Sequence, residues 1–419
     1  MLYKIYLCNI LASIGFKCYL GSKSEINFLI KKIKNFIYID KGYHKNVSES
    51  IYYNVRKNNG IIISLDEEGG VDFKDNSTLK GRYSKNLFEV CKKIFFWGPD
   101  QMNFFSSDKE HSSKFILSGH PRFELLKKKF HFLYEDDVNY IKKKYAEFIL
   151  INTNMGFGNN IRGDKFILKN YGDRFKGLSH ILNNDKIKLK KFISLIKKLS
   201  NLKLNIIIRP HPEEDFSTYS SAFKLNKNVS VINEKSVIPW IIASKTMIHP
   251  DCTTGIESLM LGKKSISYIS DDLNFEYLTT LPLKASMVLN DEKEILKYLE
   301  SNKFRSKVDF SKYDFLKNNF NFPGNSFEII SNELSSLIKN NENSNDLSCL
   351  DIFWRKTKNL IKLFESRKDR LISQKSKDFN YSNVYFVHNK IRSSNLSFKD
   401  NFMKRIFNKL YVFKKINKL

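Results

Sequence analysis

Cysteine is scarce in this chain and forms no pattern. The five cysteines among 419 residues, Cys8, Cys18, Cys91, Cys252 and Cys349, are scattered, odd in number and include no CxxC pair. That excludes a zinc ribbon and a disulfide framework, and fits a reducing compartment. Also lacking is any run of ~18 uninterrupted apolar residues, so no segment reads as a transmembrane helix. The opening stretch, MLYKIYLCNILASIGF, has little basic character and no small-residue cleavage site. It is a poor signal peptide and too short to span a bilayer. No internal repeat is visible. Acidic residues are in deficit: 44 Asp and Glu face 71 Lys and Arg, a formal net charge of +27.

The basic excess has two readings. One is attraction to phosphates or to an anionic membrane face. The other is compositional drift, since Lys, Asn, Ile and Phe are abundant together. Nucleic acid is not the expected partner. With 42% hydrophobic and 14% aromatic residues the chain has ample material for a core, and its length suggests two or three domains. The expected location is the cytoplasm, with the inner face of the cytoplasmic membrane as a place to rest.

Apolar runs and amphipathic stretches alternate in two series. In the first, strands are predicted at Phe16–Leu20, Phe36–Ile39, Gly60–Leu65, Ile94–Trp97 and Phe115–Leu117, between helices at Leu2–Gly15, Ser24–Ile33, Glu49–Asn58 and Leu87–Lys93. In the second, strands fall at Glu147–Thr153, Leu204–Ile208, Val229–Ile232, Thr246–His249 and Ser265–Tyr268. Its helices fall at Ile187–Leu199, Val237–Ala243, Thr254–Leu261 and Asp291–Leu299. Such alternation implies parallel βαβ layers. The expected fold is α/β, two Rossmann-like domains facing across a cleft, with a basic helical C-terminal extension. The boundaries are 1–135, 136–300, crossover helices over 301–339, and a basic tail over 340–419. The stretch Phe402–Leu419 reads as a basic amphipathic helix, either for an anionic membrane surface or packed with solvated lysines.

Two strand ends carry most of the chemistry. Ile206–Pro212 reads IIIRPHP, and Met247–Tyr268 reads MIHPDCTTGIESLMLGKKSISY. Arg209, directly after a buried strand, suits paired hydrogen bonds to a phosphate or carboxylate. Pro210 and Pro212 stiffen the turn around His211, which can donate to a phosphate or protonate it as it leaves. His249 and Asp251 precede Thr253, Thr254 and Gly255, which open a helix whose free N–H groups suit an anion; Ser258 lies on its first turns. Glu257 has two readings: it closes a capping box with Thr254, or it binds a ribose hydroxyl pair. Asp251 orients an imidazole or ends the turn. Cys252 reads as a small packed residue, since no base pairs with it.

In the first series the strand Gly60–Leu65 ends in Asp66, Glu67, Glu68, Gly69 and Gly70. Carboxylates at the carboxyl end of a parallel strand lie near a cleft mouth and can act as general base or nucleophile. The two glycines let backbone approach a sugar. The other reading is a solvated acidic turn. His120 and Arg122, in SGHPR, end a further strand, and Asn152 and Asn154 end the first strand of the second series; with Gly69 and Gly70 these are the residues expected to line the acceptor side of the cleft.

Taken in order, LDEEGG (Leu65–Gly70), FFWG (Phe95–Gly98), GHPRFELL (Gly119–Leu126), FILINTNMGFGN (Phe148–Asn159), RPHPEE (Arg209–Glu214) and HPDCTTGIESLMLGKKSISY (His249–Tyr268) resemble the bacterial surface carbohydrate biosynthesis proteins, which are similar to GT-B glycosyltransferases. The RPHP and helix-start motifs also resemble those of capsule and teichoic acid transferases, among them ulosonic acid transferases and CDP-glycerol polymerases. The resemblance implies a nucleotide-sugar donor in the second domain and a glycan or lipid-linked glycan acceptor in the first. It implies that Arg209, His211, Thr253, Thr254 and Glu257 hold donor phosphate and ribose, and that Asp66, Glu67 or Glu68 does acid–base or nucleophilic work. A CMP-linked ulosonic acid is the favoured donor. No cofactor and no metal are expected, and no DxD-like pair stands at a suitable strand end.

One departure accompanies the resemblance. The chain opens in what should be the first helix, where a strand normally comes before it. The expectation is a truncated start or a first sheet one strand short. Two competing functions stand beside the glycosyltransferase: a CDP-alditol phosphotransferase, and a non-catalytic basic scaffold at a membrane or on nucleic acid.

Overall fold

The computed structural model describes residues 1–68, 77–172, 175, 177–202, 204–337, 345–365, 379–407 and 409–416. Gly69 and Gly70 therefore lie outside the described residues.

Two parallel sheets form the frame. The first has four strands in the order β2-β3-β4-β5: Ile37–Asp40, Ile61–Leu65, Lys93–Phe96 and Phe115–Leu117. The second has six, β11-β10-β9-β6-β7-β8: Met287–Leu289, Ser265–Tyr268, Thr246–His249, Phe148–Asn152, Asn205–Arg209 and Val229–Val231. All pairings within both sheets are parallel. The central strand β6, FILIN, is buried at every position, as a parallel strand covered on both faces must be. The long basic helix Leu178–Asn201 covers one face: Phe192, Leu195, Ile196 and Leu199 are buried against Ile206 and Ile208 of β7. Each such side chain contributes roughly 1.5–3 kcal/mol of burial. The expected α/β fold with two parallel sheets is present.

The second sheet has a topological switch point. The chain enters at β6, moves out through β7 and β8, then returns to β9 on the other side of β6. The crevice outside the carboxyl ends of β6 and β9 is where such sheets bind ligands. The first sheet runs in sequence order and shows no switch point among its described strands.

The predicted crossover exists. Helices Phe315–Phe320 and Ser326–Ser336 return to the first domain. The start of the second is satisfied from there: the Phe327 amide donates to Glu124 Oε2 at 2.8 Å, and Lys93 pairs with Glu333 at 3.0 Å. One apolar cluster runs without a break from Tyr3 and Trp97 through Phe130 and Val138 to Trp240, Met247 and Ile256. The two domains therefore share a core.

Two expectations are corrected. The predicted strand Phe16–Leu20 forms as β1, Cys18–Gly21, but does not join the parallel sheet. It pairs antiparallel with β13, Leu410–Lys415, which is itself hairpinned to β12, Asn401–Phe407. The expected amphipathic helix Phe402–Leu419 is this hairpin; residues 417–419 lie outside the described residues. Along β12, Asn401 and Met403 are buried while Phe402 and Lys404 are exposed. Along β13 the run Leu410–Phe413 is buried throughout. Alternation of period two, with aromatic and β-branched residues, wins over helical spacing once a partner strand is available. Earlier in the tail the extension is helical, over Cys349–Glu365 and Tyr381–Ser394.

Candidate active site

The two domains touch through the turns that follow their strands. Arg122 follows β5, and its Nε lies 3.5 Å from Oε1 of Glu257, on the helix Thr254–Met260 after β9. Burial pushes the Glu257 carboxyl up, and the Arg122 guanidinium pulls it back. The capping-box reading of Glu257 does not hold: the helix has no side-chain cap at Thr253, and Thr254 Oγ1 is buried without a hydrogen-bond partner. Glu257 reaches across the seam instead.

Beside Arg122, the His120 ring is wedged between Tyr3 and Trp97, with both ring centroids 4.9 Å away. Its Nδ1 accepts from the Arg122 amide at 3.0 Å, which places the proton on Nε2. That Nε2 is buried and has no partner. Burial, reinforced by the Arg122 charge, holds His120 well below the ordinary imidazole range, so it is neutral.

The acidic strand end divides into three environments. Asp66 is buried: its Oδ2 pairs with Arg82 Nε at 2.9 Å, its Oδ1 accepts from the Glu68 amide at 3.2 Å, and its carbonyl accepts from Trp97 Nε1 at 2.6 Å. Burial raises its pKa, opposed by Arg82. It is a pin inside the first domain. Glu68 is exposed. Glu67 is the chemically interesting member. Lys4 Nζ lies 2.6 Å from its Oε1, and the Tyr3 hydroxyl donates to the same oxygen. Burial alone would raise its pKa, but the Lys4 charge and these two donors hold it down at about 2.

Glu67 also lines a cavity of about 920 Å³ that Leu7, Leu11, β1, the helix Lys23–Leu29 and β2 enclose. Asp40, at the carboxyl end of β2, lines the same cavity. Burial raises Asp40 to about 6, although the Tyr52 hydroxyl donates to it. Two carboxyl groups whose surroundings push their pKa values apart are the usual mark of an acid–base pair. The sequence reading missed Asp40. Its only signal was an aspartate ending the predicted strand Phe36–Ile39.

Across the seam the predicted donor residues are less free than the sequence suggested. The Arg209 guanidinium donates to the carbonyls of Glu234 at 2.6 Å and Lys235 at 3.0 Å, and lies over the Trp240 ring. It fastens the turn after β8. His249 is buried; its Nδ1 contacts the Pro250 carbonyl and its Nε2 lies 2.9 Å from Ser286 Oγ. Burial lowers it to about 4. A Cβ on Gly255 would stand 2.5 Å from His249 Cε1 and Nε2, so this glycine exists to admit the ring. Asp251 bonds Lys188 Nζ at 2.5 Å and the Thr279 amide at 2.9 Å. Ser258 donates to the Lys263 carbonyl at 3.1 Å. Cys252 is buried, its thiol pushed up to about 11 by burial, and is inert.

His211, like Thr253 and Thr254, is only half-buried at the site. Its Nδ1 accepts from the Glu213 amide at 3.3 Å. It sits over the turn after β6, where a Cβ on Gly156 would be 3.4 Å from Nδ1. Asn152 ends β6 at the switch point: its Nδ2 contacts Met247 Sδ at 3.1 Å and its buried Oδ1 has no partner. Asn154 follows, half-buried, its amide 3.3 Å from Met155 Sδ.

Two further groups hold these turns. Fully buried Glu214 accepts from Thr153 Oγ1 at 2.6 Å, the Met155 amide at 3.2 Å and the His211 amide at 3.0 Å, tying the β6 turn to the β7 turn. Asp185 and Lys188, one helical turn apart on the long basic helix, are also buried. Asp185 Oδ2 accepts from the amides of Phe157 and Gly158, while Lys188 bridges Asp185 to Asp251. This triad ties the turns after β6 and β9, the two that flank the switch point. Sequence spacing alone presents Lys188 as one more solvated lysine of a basic helix.

No protein-family model matches the chain, and no curated protein matches it. Among solved structures, the UDP-GlcNAc 2-epimerase from Methanocaldococcus jannaschii is similar at TM-score 0.46 and 14% identity, over 72% of this chain and 77% of that one. The UDP-GlcNAc 2-epimerase from Neisseria meningitidis bound to UDP-GlcNAc is similar at TM-score 0.45 and 14% identity, over 72% and 76%. The wall teichoic acid polymerase TagF is similar at TM-score 0.39 and 12% identity, over 66% and 68%.

Proposed function

We propose that the chain is a GT-B-type glycosyltransferase of bacterial cell-surface polysaccharide synthesis. It takes a nucleotide-activated sugar, favoured here as a CMP-linked ulosonic acid, and transfers the sugar to a glycan acceptor. The observation that supports this most is the meeting of the two carboxyl-end faces at Arg122 and Glu257, with ionised Glu67 and the unpartnered His120 Nε2 on the first-domain side. The nucleotide lies at the switch point, near Asn152, His211 and Thr254, and the acceptor enters the cavity lined by Asp40 and Glu67.

In this reading the acceptor hydroxyl oxygen attacks the anomeric carbon as the bond to the phosphate oxygen breaks. The hydroxyl proton passes to a carboxylate of the cavity, Glu67 or Asp40. His211 donates a hydrogen bond to the departing phosphate. Arg122, His249, Asp251, Glu214 and the Lys188 triad act as positioning residues that hold the seam and the switch-point turns.

A thermal-shift screen with CMP, CDP, UDP and GDP tests the donor half, since a ligand that binds only the folded chain raises Tm. CMP is expected to give the largest shift. His211→Ala is expected to abolish turnover while leaving Tm near that of the parent chain, and Glu67→Ala to abolish turnover with a lowered Tm, because Lys4 and the Tyr3 hydroxyl lose their partner; undiminished turnover in both overturns the assignment. Phosphate retained in the product would replace glycosyl transfer by alditol-phosphate transfer.

A further inference from the structure

The helix Cys349–Glu365 is amphipathic in an inverted sense: its polar face binds the protein and its apolar face is turned away. Arg355 is buried, its Nε 2.9 Å from Glu25 Oε2 and its Nη2 3.0 Å from the Ser24 carbonyl. Asn359 Nδ2 donates to Glu25 Oε1 at 3.1 Å, and Ile352 packs beside them on a cluster containing Leu29 and Leu410. Asp351 adds an ion pair to Lys32 at 2.8 Å, and Ser348 caps the start of the helix. These contacts fix the helix's orientation on the first domain.

Residues 352, 355 and 359 share one face at 3.6 residues per turn. The opposite face carries Leu350, Phe353 and Trp354, which are 71%, 64% and 69% exposed. Exposed Lys356 and Lys358 flank this stripe, one on each side. Leaving three large apolar side chains in water, on a helix whose charged face is spent on the protein, needs an occupant.

We propose that this face lies in the headgroup layer of an anionic membrane, with Leu350, Phe353 and Trp354 inserted and the flanking lysines on the phosphates. A tryptophan, a phenylalanine and a leucine between lysines are the composition of a helix lying in a bilayer interface. The charge agrees: residues 340–419 carry 18 Lys and Arg against 7 Asp and Glu, 18 − 7 = +11. The lysine borders and the chain's +27 oppose pairing with a second copy through this stripe and favour an anionic surface. Among the described residues no helix is long and apolar enough to cross a membrane, so the contact is at the interface.

The chain's three tryptophans provide the test. Trp97 and Trp240 are buried, so a change in tryptophan environment on binding reports Trp354. Full-length protein is mixed with vesicles of phosphatidylcholine and phosphatidylglycerol, with and without bromine on the acyl chains. The expected result is a blue-shifted emission, quenching by the brominated lipid, and loss of both in Leu350→Ser/Phe353→Ser. Lys356→Gln/Lys358→Gln is expected to weaken partitioning roughly thirtyfold, from about 1 kcal/mol for each of the two lysines near the surface. Sedimentation with vesicles but without acyl-chain quenching overturns the proposal, because binding then uses another basic surface. Equal partitioning to pure phosphatidylcholine overturns the anionic requirement. A blue shift that follows protein concentration without vesicles, together with a dimer in analytical ultracentrifugation, overturns it in favour of a second copy.

Discussion

Arg122 Nε lies 3.5 Å from Glu257 Oε1, and this contact joins the turn after β5 to the helix after β9. Arg122 also stacks over Phe123, its guanidinium carbon 4.7 Å from the ring centroid. A stiff, apolar-backed cation thus faces a buried carboxylate across the domain seam. The pair sets how closely the two halves of the proposed site approach.

Removing the cation should expose this role. Arg122→Ala leaves Glu257 buried without its partner, at a cost of about 1–2 kcal/mol, reduced from a fully buried pair because Arg122 is partly solvated. Burial already raises the Glu257 pKa, and the variant raises it further. A raised carboxyl stabilises the fold below its unfolded pKa and loses that contribution as pH rises through its folded value. The extra instability of Arg122→Ala in urea is therefore expected to grow from acid to neutral pH, and to be small in Glu257→Gln. A pH-independent loss would rule the pair out.

Gly255 and His249 make a steric prediction. The Gly255→Ala methyl would sit 2.5 Å from two atoms of the imidazole ring. Overpacking of this kind costs about 1–3 kcal/mol. A His249→Ser background removes the two closest clashes and leaves Ser286 Oγ, 2.8 Å from that methyl, free to rotate away, so the double variant should be more stable than the sum of the two losses by more than ~0.5 kcal/mol. Urea midpoints of the four proteins measure this; additive losses would mean the turn relaxes freely.

Much of the frame was readable because it is local. The runs GIIISL, EFILINT and NIIIR end in turn residues, and each is a buried parallel strand. What was not readable depends on partners far along the chain. β1 pairs with β13, Cys18 opposite Phe413, and no local pattern at either end reveals the other. The same pairing turned the expected C-terminal helix into a hairpin. In the site, Glu257 had two local readings, and a residue in the other domain decided between neither of them. Arg209 stood where a phosphate ligand was expected, yet the carbonyls of Glu234 and Lys235 occupy its guanidinium. Lys188 looked like a surface charge until Asp185 and Asp251 were seen on either side of it.

That triad carries a pH prediction of its own. Burial raises Asp185 to about 6; at Asp251 burial also pushes up, but Lys188 together with the backbone amides that bond the carboxylate lowers its pKa. The sign differs between the two: Asp185 loses its contribution as pH rises through about 6, and Asp251 loses its own as pH falls. Lys188→Met removes the shared cation and should cost about 3–5 kcal/mol at neutral pH. Protonating one carboxyl relieves the repulsion, so the loss should be smaller at pH about 5 than at pH about 8 in urea unfolding. Equal losses at both would show that the three charges are not balanced against one another.

Glu67 gives the sharpest test of the proposed chemistry. Lys4 and Tyr3 hold it at about 2, so it is a carboxylate throughout the working range. If it accepts the acceptor's proton, the acid limb of kcat/KM in the parent chain lies far below neutrality. Lys4→Met removes the strongest opposing influence and leaves burial to act, which should move that limb up by roughly 1–3 pH units. The stability sign is the opposite of that for Glu257. A depressed carboxyl contributes above its unfolded pKa and loses that contribution as pH falls toward about 2, so Lys4→Met should also unfold at a higher pH in acid titration. A lower kcat with an unmoved acid limb would leave Glu67 a structural anchor for the first helix, and would pass the proton-accepting role to Asp40, whose pKa of about 6 places its own limb near neutrality.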